Sequence, residues 1–216
     1  DDAPPLGHIV ENAAIRAALI DAVAARPGIV SRYRVGLDAS APRVEERHAA
    51  IALSDGAELR ARLVVACDGR ESAVRRAMNG KRRVKAYGQT AVTCVIAHDR
   101  PHQATAHERF LPDGPLAMLP MTPQPGAPHR SSLVWTVRSV DAPGLQSLSD
   151  ILFASVAQDR FGPHLGAFRV VGDCHAYPLS LMTVDPAVFP RVALVGDSAL
   201  GIHQIAGQGF KPVVRD

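Results

Sequence analysis

The chain has 216 residues, 47% of them hydrophobic and 21% charged, enough to bury the core of one large or two small globular domains. Aromatic residues make up only 5% and the net charge is +3, which leaves little for stacking on bases or steering toward nucleic acid. Three cysteines, Cys67, Cys94 and Cys174, are odd in number and far apart, which argues against a disulfide framework and for a reducing, cytoplasmic compartment. No apolar run approaches the ~20 residues of a membrane span, and there is no secretory leader. The chain starts at Asp1 without Met and stops at Asp216 inside a motif, so it reads as a segment of a longer protein.

In chain order, His8 to Val10 predicts a short extended stretch. Ile15, Leu19 and Val23 recur every four residues and predict a helix, with Asn12 as N-cap and Arg26-Pro27-Gly28 as its stop. Ile29 to Leu37 reads as a strand. Ala49 to Leu53 and Leu59 to Ala66 read as a strand pair joined by the Asp55-Gly56 hairpin signal. A helix is expected over Ser72 to Met78, and the run Lys81-Arg82-Arg83 with Lys85 as a solvated turn. Residues 87–185 alternate short apolar runs (90–97, 106–111, 116–121, 131–137 and 168–171) with Pro- and Gly-rich loops, as an antiparallel sheet would. Trp135 is placed in its core. One helix interrupts these strands, with Leu148, Ile151, Leu152 and Val156 on its apolar side. Val192 to Val195 then reads as a buried strand. The order is α/β, then β-rich, then α/β again, so both ends of the chain are expected to build one domain around an inserted second one.

Two strand ends carry the chemistry. Val64-Val65-Ala66 runs into Cys67-Asp68-Gly69, followed by Ser72 and Arg75 at the start of a helix. The carboxyl edge of an open α/β sheet is where ligands bind, because loops there form a crevice and helix N-termini point N–H groups into it. Gly69 would let the backbone approach a ligand, Ser72 could cap the helix, and Arg75 could face an anion or pair with Asp68. Taken alone, this stretch is more often a capped β-to-α turn with no ligand. Val192-Ala193-Leu194-Val195 runs in the same way into Gly196-Asp197, followed by Gly207-Gln208-Gly209. A carboxylate at such a strand end suits ribosyl or ribityl hydroxyls, and a glycine loop offers N–H groups to a phosphate or an electron-rich ring edge.

Cys67-Asp68-Gly69-x-x-Ser72-x-x-Arg75 resembles the Asp-Gly motif of class A FAD-dependent aromatic monooxygenases, which serves both flavin and nicotinamide binding. Gly196-Asp197 with Gly207-Gln208-Gly209 and Arg215-Asp216 resembles their second flavin fingerprint. The ubiquinone-biosynthesis hydroxylase branch is the most similar. It has counterparts of Gly7-His8-Ile9-Val10-Glu11-Asn12, Tyr87-Gly88-Gln89-Thr90-Ala91-Val92, Glu108-Arg109-Phe110-Leu111-Pro112 and Gly114-Pro115-Leu116-Ala117-Met118-Leu119-Pro120. The resemblance implies part of an FAD-binding, glutathione-reductase-like α/β domain (residues 1–83 and 187–216) with an inserted, mostly antiparallel β-sheet substrate domain (84–186). It implies an oxidoreductase that uses FAD, NAD(P)H and O₂ to hydroxylate a phenolic ring, a ubiquinone precursor. The prenylated substrate of such an enzyme implies contact with a membrane periphery or a ubiquinone-biosynthesis complex.

By that resemblance Asp197 would bind the ribose or ribityl part of FAD. Gly207, Gln208 and Gly209 would lie along the isoalloxazine and its ribityl chain, and Lys211 beside its pyrimidine edge. Asn12 would sit near the diphosphate or ribityl region, and Gly196, Asp68, Gly69 and Arg75 complete the candidate cofactor-binding set. No acid, base or nucleophile is assigned. The family's opening Gly-x-Gly-x-x-Gly loop and its C-terminal helices have no counterpart here. Leu200 stands where the branch has His, Gln204 where it has Pro, Lys211 where it has Asn, and Pro212-Val213 where it has Leu-Gly. These departures keep two alternatives open: a non-catalytic fragment or remnant with weak or no FAD binding, and a reductase or halogenase on the same scaffold. The single Trp135 speaks against the Trp-x-Trp-x-Ile element of a halogenase. His98, His102 and His107 lie close together, but Pro101 breaks any helix that would align them, so no metal site is expected.

Overall fold

The computed structural model describes residues 7–38 and 42–202. In chain order the elements are α1 (Asn12–Ala24), β1 (Arg43–Val44), β2 (Ala49–Ala52), β3 (Glu58–Ala61), β4 (Val64–Ala66), α2 (Ala73–Ala77), β5 (Lys81–His98), β6 (His107–Leu111), β7 (Gly114–Pro120), β8 (Arg130–Arg138), α3 (Ala142–Gln146), α4 (Asp150–Phe161), β9 (Phe168–Asp185), β10 (Val188–Phe189), β11 (Val192–Leu194) and β12 (Leu200–Gly201). The described parts of Asp1–Ile29 and Gly88–Pro178 form one compact unit, and those of Val30–Tyr87 and Leu179–Asp216 a second. The long strands β5 and β9 each have one half in either unit.

In the first unit the strand order is β9-β5-β8-β7-β6. The β5–β8, β8–β7 and β7–β6 pairs are all antiparallel; Val92 lies opposite Trp135, and Trp135 opposite Leu116. Strand alternation sends Val92, Cys94, Ile96, Leu116, Met118, Leu133 and Trp135 to one face, where they pack with Phe153, Ala154, Ala157 and Phe161 of α4. Trp135 is 5% exposed and fills this core. The stripe of α4 that faces the sheet differs from the one periodicity suggests: Ile151 and Leu152 are exposed while Phe153, Ala154, Ala157 and Phe161 are buried. A short helix with apolar residues around most of its girth has two candidate faces, and here the two phenylalanines fill the larger volume.

The second unit holds two small sheets, β1-β2-β3 and β10-β11-β4. The β2–β3 hairpin pairs Ala49 with Ala61 and turns through Gly56 at φ 82°, as the Asp-Gly pair predicts. Strands β11 and β4 are parallel, with Val192, Ala193 and Leu194 opposite Val64, Val65 and Ala66. Val64, Ala66, Val192 and Leu194 pack with Ala49 and Val74 in a separate core.

Several expected boundaries move. Ile29–Leu37 forms no strand: Leu37 makes a lone bridge to Leu53, Arg34 takes a left-handed φ of 60°, and Val30 and Tyr33 are exposed. The basic run at 81–85 is not a turn but the start of β5, with Arg82 paired to Glu71 at 2.7 Å. β9 continues to Asp185 through residues whose Gly and Pro content suggests loop, because strand pairing overrides local preference. Asn12 is the first residue of α1, and Glu11 takes the N-cap position. Among the described residues no helix is long and apolar enough to cross a membrane.

Candidate functional site: two strand ends laced together

Parallel pairing of β4 with β11 sets two loops side by side at their carboxyl ends, although they lie far apart in sequence. Cys67-Asp68-Gly69 leaves β4 and Val195-Gly196-Asp197 leaves β11. Gly69 has φ 80° and Gly196 φ 70°, a left-handed backbone that a side chain would strain. A Cβ on Gly69 would meet nothing within 4 Å, so open space lies beside that loop.

Polar side chains hold the loops in register. The Ser198 hydroxyl, fully buried, accepts the Val195 N–H at 2.9 Å and donates to the Ala66 carbonyl at 2.7 Å, tying the β11 loop to the end of β4. Arg75 is 2% exposed, and its guanidinium donates to the Ser198 carbonyl at 3.0 Å and the Arg70 carbonyl at 2.6 Å. Arg70 in turn reaches the Ser180 carbonyl at 3.1 Å. The arginine that the sequence offers as an anion ligand or a partner for Asp68 thus spends its fork on main-chain carbonyls, and burial holds its pKa below the ordinary guanidinium value.

Asp68 is occupied as well. Its carboxylate accepts the N–H groups of Ala73 at 2.8 Å and Val74 at 3.2 Å, and Ser72, as expected of a cap, accepts the Arg75 N–H at 2.9 Å. Burial works to raise the Asp68 pKa, but hydrogen bonds from the Ser72 side chain and the backbone of Val74, Asp68 and Ala73 outweigh it and hold the carboxyl below its usual value. A depressed folded pKa means that the stabilisation is present above the unfolded value of about 3.9 and is lost as pH falls through the folded one. Asp68→Asn should therefore lower stability at neutral pH and flatten its decline below about pH 4, read from urea midpoints across pH. A variant whose acid profile parallels the parent's would show that Asp68 does not carry that linkage.

Asp197 stands in contrast. It is exposed on the short 3-10 turn Gly196–Ser198, and among the described residues its carboxylate has no hydrogen-bond or ionic partner. A carboxylate left open among the described residues, next to the left-handed Gly196 at a strand end, is the part of this cluster that can receive a hydroxyl-bearing ligand. Of the other candidates, Asn12 opens α1 in the first unit. Gly207, Gln208, Gly209 and Lys211 lie outside the described residues, as do Gln204 and Val213. Leu200 is described and sits in β12, paired with Thr183 of β9. The buried Ser198 was not singled out in the sequence; its only sign is a small hydroxyl directly after Gly-Asp.

The three cysteines are free, and burial pushes the Cys94 and Cys174 thiols up, which leaves them poor nucleophiles. His98 is buried. Its Nδ1–H donates to the Arg100 carbonyl at 2.7 Å and its Nε2 accepts from Ser131 at 3.0 Å. His102 donates from Nε2 to the Met121 carbonyl and accepts the Ala104 N–H on Nδ1. All four ring nitrogens are thus engaged with protein, and burial pushes the His98 pKa down. Among the described residues no group of three or more His, Cys, Asp or Glu side chains has the geometry to hold a metal.

An α/β unit with two parallel strand ends, each carrying Gly and Asp, defines a nucleotide-cofactor-binding class of protein. The family comparison makes this specific: residues 19–216 match the FAD binding domain family (FAD_binding_3), and the chain belongs to that family. It is 42% identical over 212 residues to the ubiquinone hydroxylase UbiL of Rhodospirillum rubrum, covering 98% of this chain and 48% of that protein. It is 30% identical to the 3-demethoxyubiquinol 3-hydroxylase of Escherichia coli, covering 99% of this chain and 52% of the relative. The chain spans about half the length of the curated relatives it matches. Among solved structures, the flavin-dependent halogenase CmlS superposes with a TM-score of 0.76 at 15% identity, over 94% of this chain and 37% of that one. PqsL, a probable FAD-dependent monooxygenase from Pseudomonas aeruginosa, does so with a TM-score of 0.71 at 20% identity, over 90% and 54%. At these identities the structural likeness speaks for the fold, a mixed α/β flavoprotein scaffold.

Proposed function

We propose that this chain supplies part of the FAD site of a full-length flavoprotein monooxygenase that hydroxylates a phenolic ring, a ubiquinone precursor, with NAD(P)H and O₂ as co-substrates. The observation that carries the reading is the Asp197 carboxylate, without a partner among the described residues, at the end of β11, the strand that pairs in parallel with β4 and its Asp68-Gly69 end. The family match and the 42% identity to a ubiquinone hydroxylase supply the reaction class.

The residues fit the cofactor in a divided way. Asp197 accepts hydroxyls of its sugar or ribityl part, while Gly69 and Gly196 leave the main chain approachable. By the family resemblance, Asn12, Gly207, Gln208, Gly209 and Lys211 would be further residues that hold FAD. Asp68 and Arg75 belong to the site as its frame rather than as ligands. FAD, when bound, supplies the redox chemistry, and the protein contributes orientation and exclusion of water. Contact with a membrane surface or a biosynthetic complex belongs to the same reading, because a prenylated substrate must be taken from an apolar phase.

The test is purification of the full-length protein. It should be yellow, with flavin absorbance near ~450 nm, a property of the oxidised cofactor. It should consume NAD(P)H and O₂ in step with formation of a hydroxylated ubiquinone precursor. Colourless protein that takes up no added FAD would reject the reading in favour of a non-catalytic remnant. Reductase turnover without oxygen consumption would reassign the reaction.

A further inference from the structure

Helix α1 has thirteen residues and none of them is buried; Ile15, Leu19 and Ile20 are all exposed. Among the described residues nothing buries a face of this helix. Its tie to the rest of its unit is polar and sits at its amino end. Glu11, at the N-cap position, has extended backbone dihedrals, and its carbonyl receives the N–H groups of Ala14 at 3.0 Å and Ile15 at 3.1 Å. Its side chain does not cap the helix. It accepts a hydrogen bond from the guanidinium of Arg130, the first residue of β8.

Arg130 is 2% exposed and donates through Nε to the Thr122 carbonyl at 2.7 Å. Among the described residues Glu11 is its ionic partner, so the residue that opens α1 compensates the buried charge. Opposite Arg130 on β5 is Ala97; the neighbouring pair, Ile96 and Ser131, points the other way, with Ile96 in the α4-packed core. Arg130 therefore projects from the sheet face away from α4. Asn12 follows Glu11 directly, so anchoring Glu11 fixes where Asn12 and the first N–H groups of α1 are presented.

We propose that Arg130 is a positioning residue, acting through Glu11 to hold the amino end of α1 and, with it, Asn12. This rests on the reading of Asn12 as a cofactor contact. It adds a residue, remote from both glycine motifs, on which cofactor affinity depends. Arg130 is buried whereas the Glu11 side chain is partly exposed, so it is the loss of Glu11 that leaves an uncompensated buried charge. Lysine can keep the charge but cannot span Thr122 and Glu11 with one fork.

The experiment uses the full-length protein in flavin-free and flavin-loaded forms, with Arg130→Met, Arg130→Lys, Glu11→Gln and the Arg130→Met/Glu11→Gln double variant. Hydrogen exchange of the α1 amides in flavin-free protein reads the clamp itself, and a fluorescence titration reads FAD affinity. Val137→Ala, a core change on the opposite face of the sheet, controls for general loss of stability. We expect faster α1 exchange and about tenfold or more weaker FAD binding (about 1.4 kcal/mol) in either single variant. The double variant should be no worse than the singles, because the two residues act as one unit, and Arg130→Lys should be intermediate. Unchanged α1 exchange in Arg130→Met overturns the proposal. So does faster exchange with unaltered FAD affinity, or a loss of affinity matched by Val137→Ala. Parent protein that binds no FAD rejects the functional reading and the cofactor role together, while α1 exchange still reports on the Glu11–Arg130 clamp.

Discussion

Replacing Arg75 by methionine should cost about 2–4 kcal/mol of stability and release FAD from the full-length protein. Methionine fills much of the arginine's volume but donates nothing, so the carbonyls of Ser198 and Arg70 lose their partner inside a buried cluster. An unsatisfied buried group costs roughly 1–3 kcal/mol each. Relief from burying an unpaired cation offsets part of that. The Ser198 carbonyl belongs to the turn that presents Asp197, so the damage reaches the site and not only the melting temperature. Arg75→Lys should recover little, since one ammonium cannot serve two carbonyls in a planar fork. Urea denaturation and flavin retention after gel filtration measure the two effects. Wild-type stability in Arg75→Met, or full rescue by lysine, would remove Arg75 from the frame of the site.

Asp197→Asn should do the reverse: leave stability within about 0.5 kcal/mol, as for exposed surface positions, and weaken FAD binding by about 10- to 100-fold. Its carboxylate is exposed and bound to nothing in the described structure, so folding does not depend on it. Hydrogen bonds to a charged acceptor contribute about 1.5–3 kcal/mol, and an amide keeps the shape but loses the charge. Titration of flavin-free protein followed by flavin fluorescence reads the affinity, with thermal melting alongside. A variant that binds FAD as tightly as the parent would sink the assignment of Asp197 and leave the glycine loops without their acceptor. The two variants together separate frame from contact, since Arg75→Met moves both readouts and Asp197→Asn only one.

Much of the fold could be read along the chain. Apolar alternation marked the strands through Val92, Leu116, Leu133 and Trp135, the Asp55-Gly56 pair marked its hairpin, and Ser72 marked the start of α2, because each is a local preference expressed within a few residues. The strand ends at Gly69 and Gly196 were visible for the same reason, as were Asp68 and Asp197. The long reach of β5 and β9, the buried face of α4 and the absence of any buried residue in α1 were not, because burial and strand pairing are settled by partners distant in sequence.

The division of labour within the site shows the same limit. Composition and motif marked both Asp-Gly and Gly-Asp loops as candidate cofactor elements, since the residue types themselves carry the chemistry. Only the tertiary structure separated Asp68, occupied by the N–H groups of α2, from Asp197, which has no partner among the described residues. It also revealed Ser198 bound to the end of β4, Arg75 spent on carbonyls, and Arg130 paired with Glu11. A side chain's type says which hydrogen bonds it can make, whereas the number left for a ligand depends on its neighbours, some of them local, as the α2 N–H groups are to Asp68, and some more than a hundred residues away, as Ser198 is to Arg75.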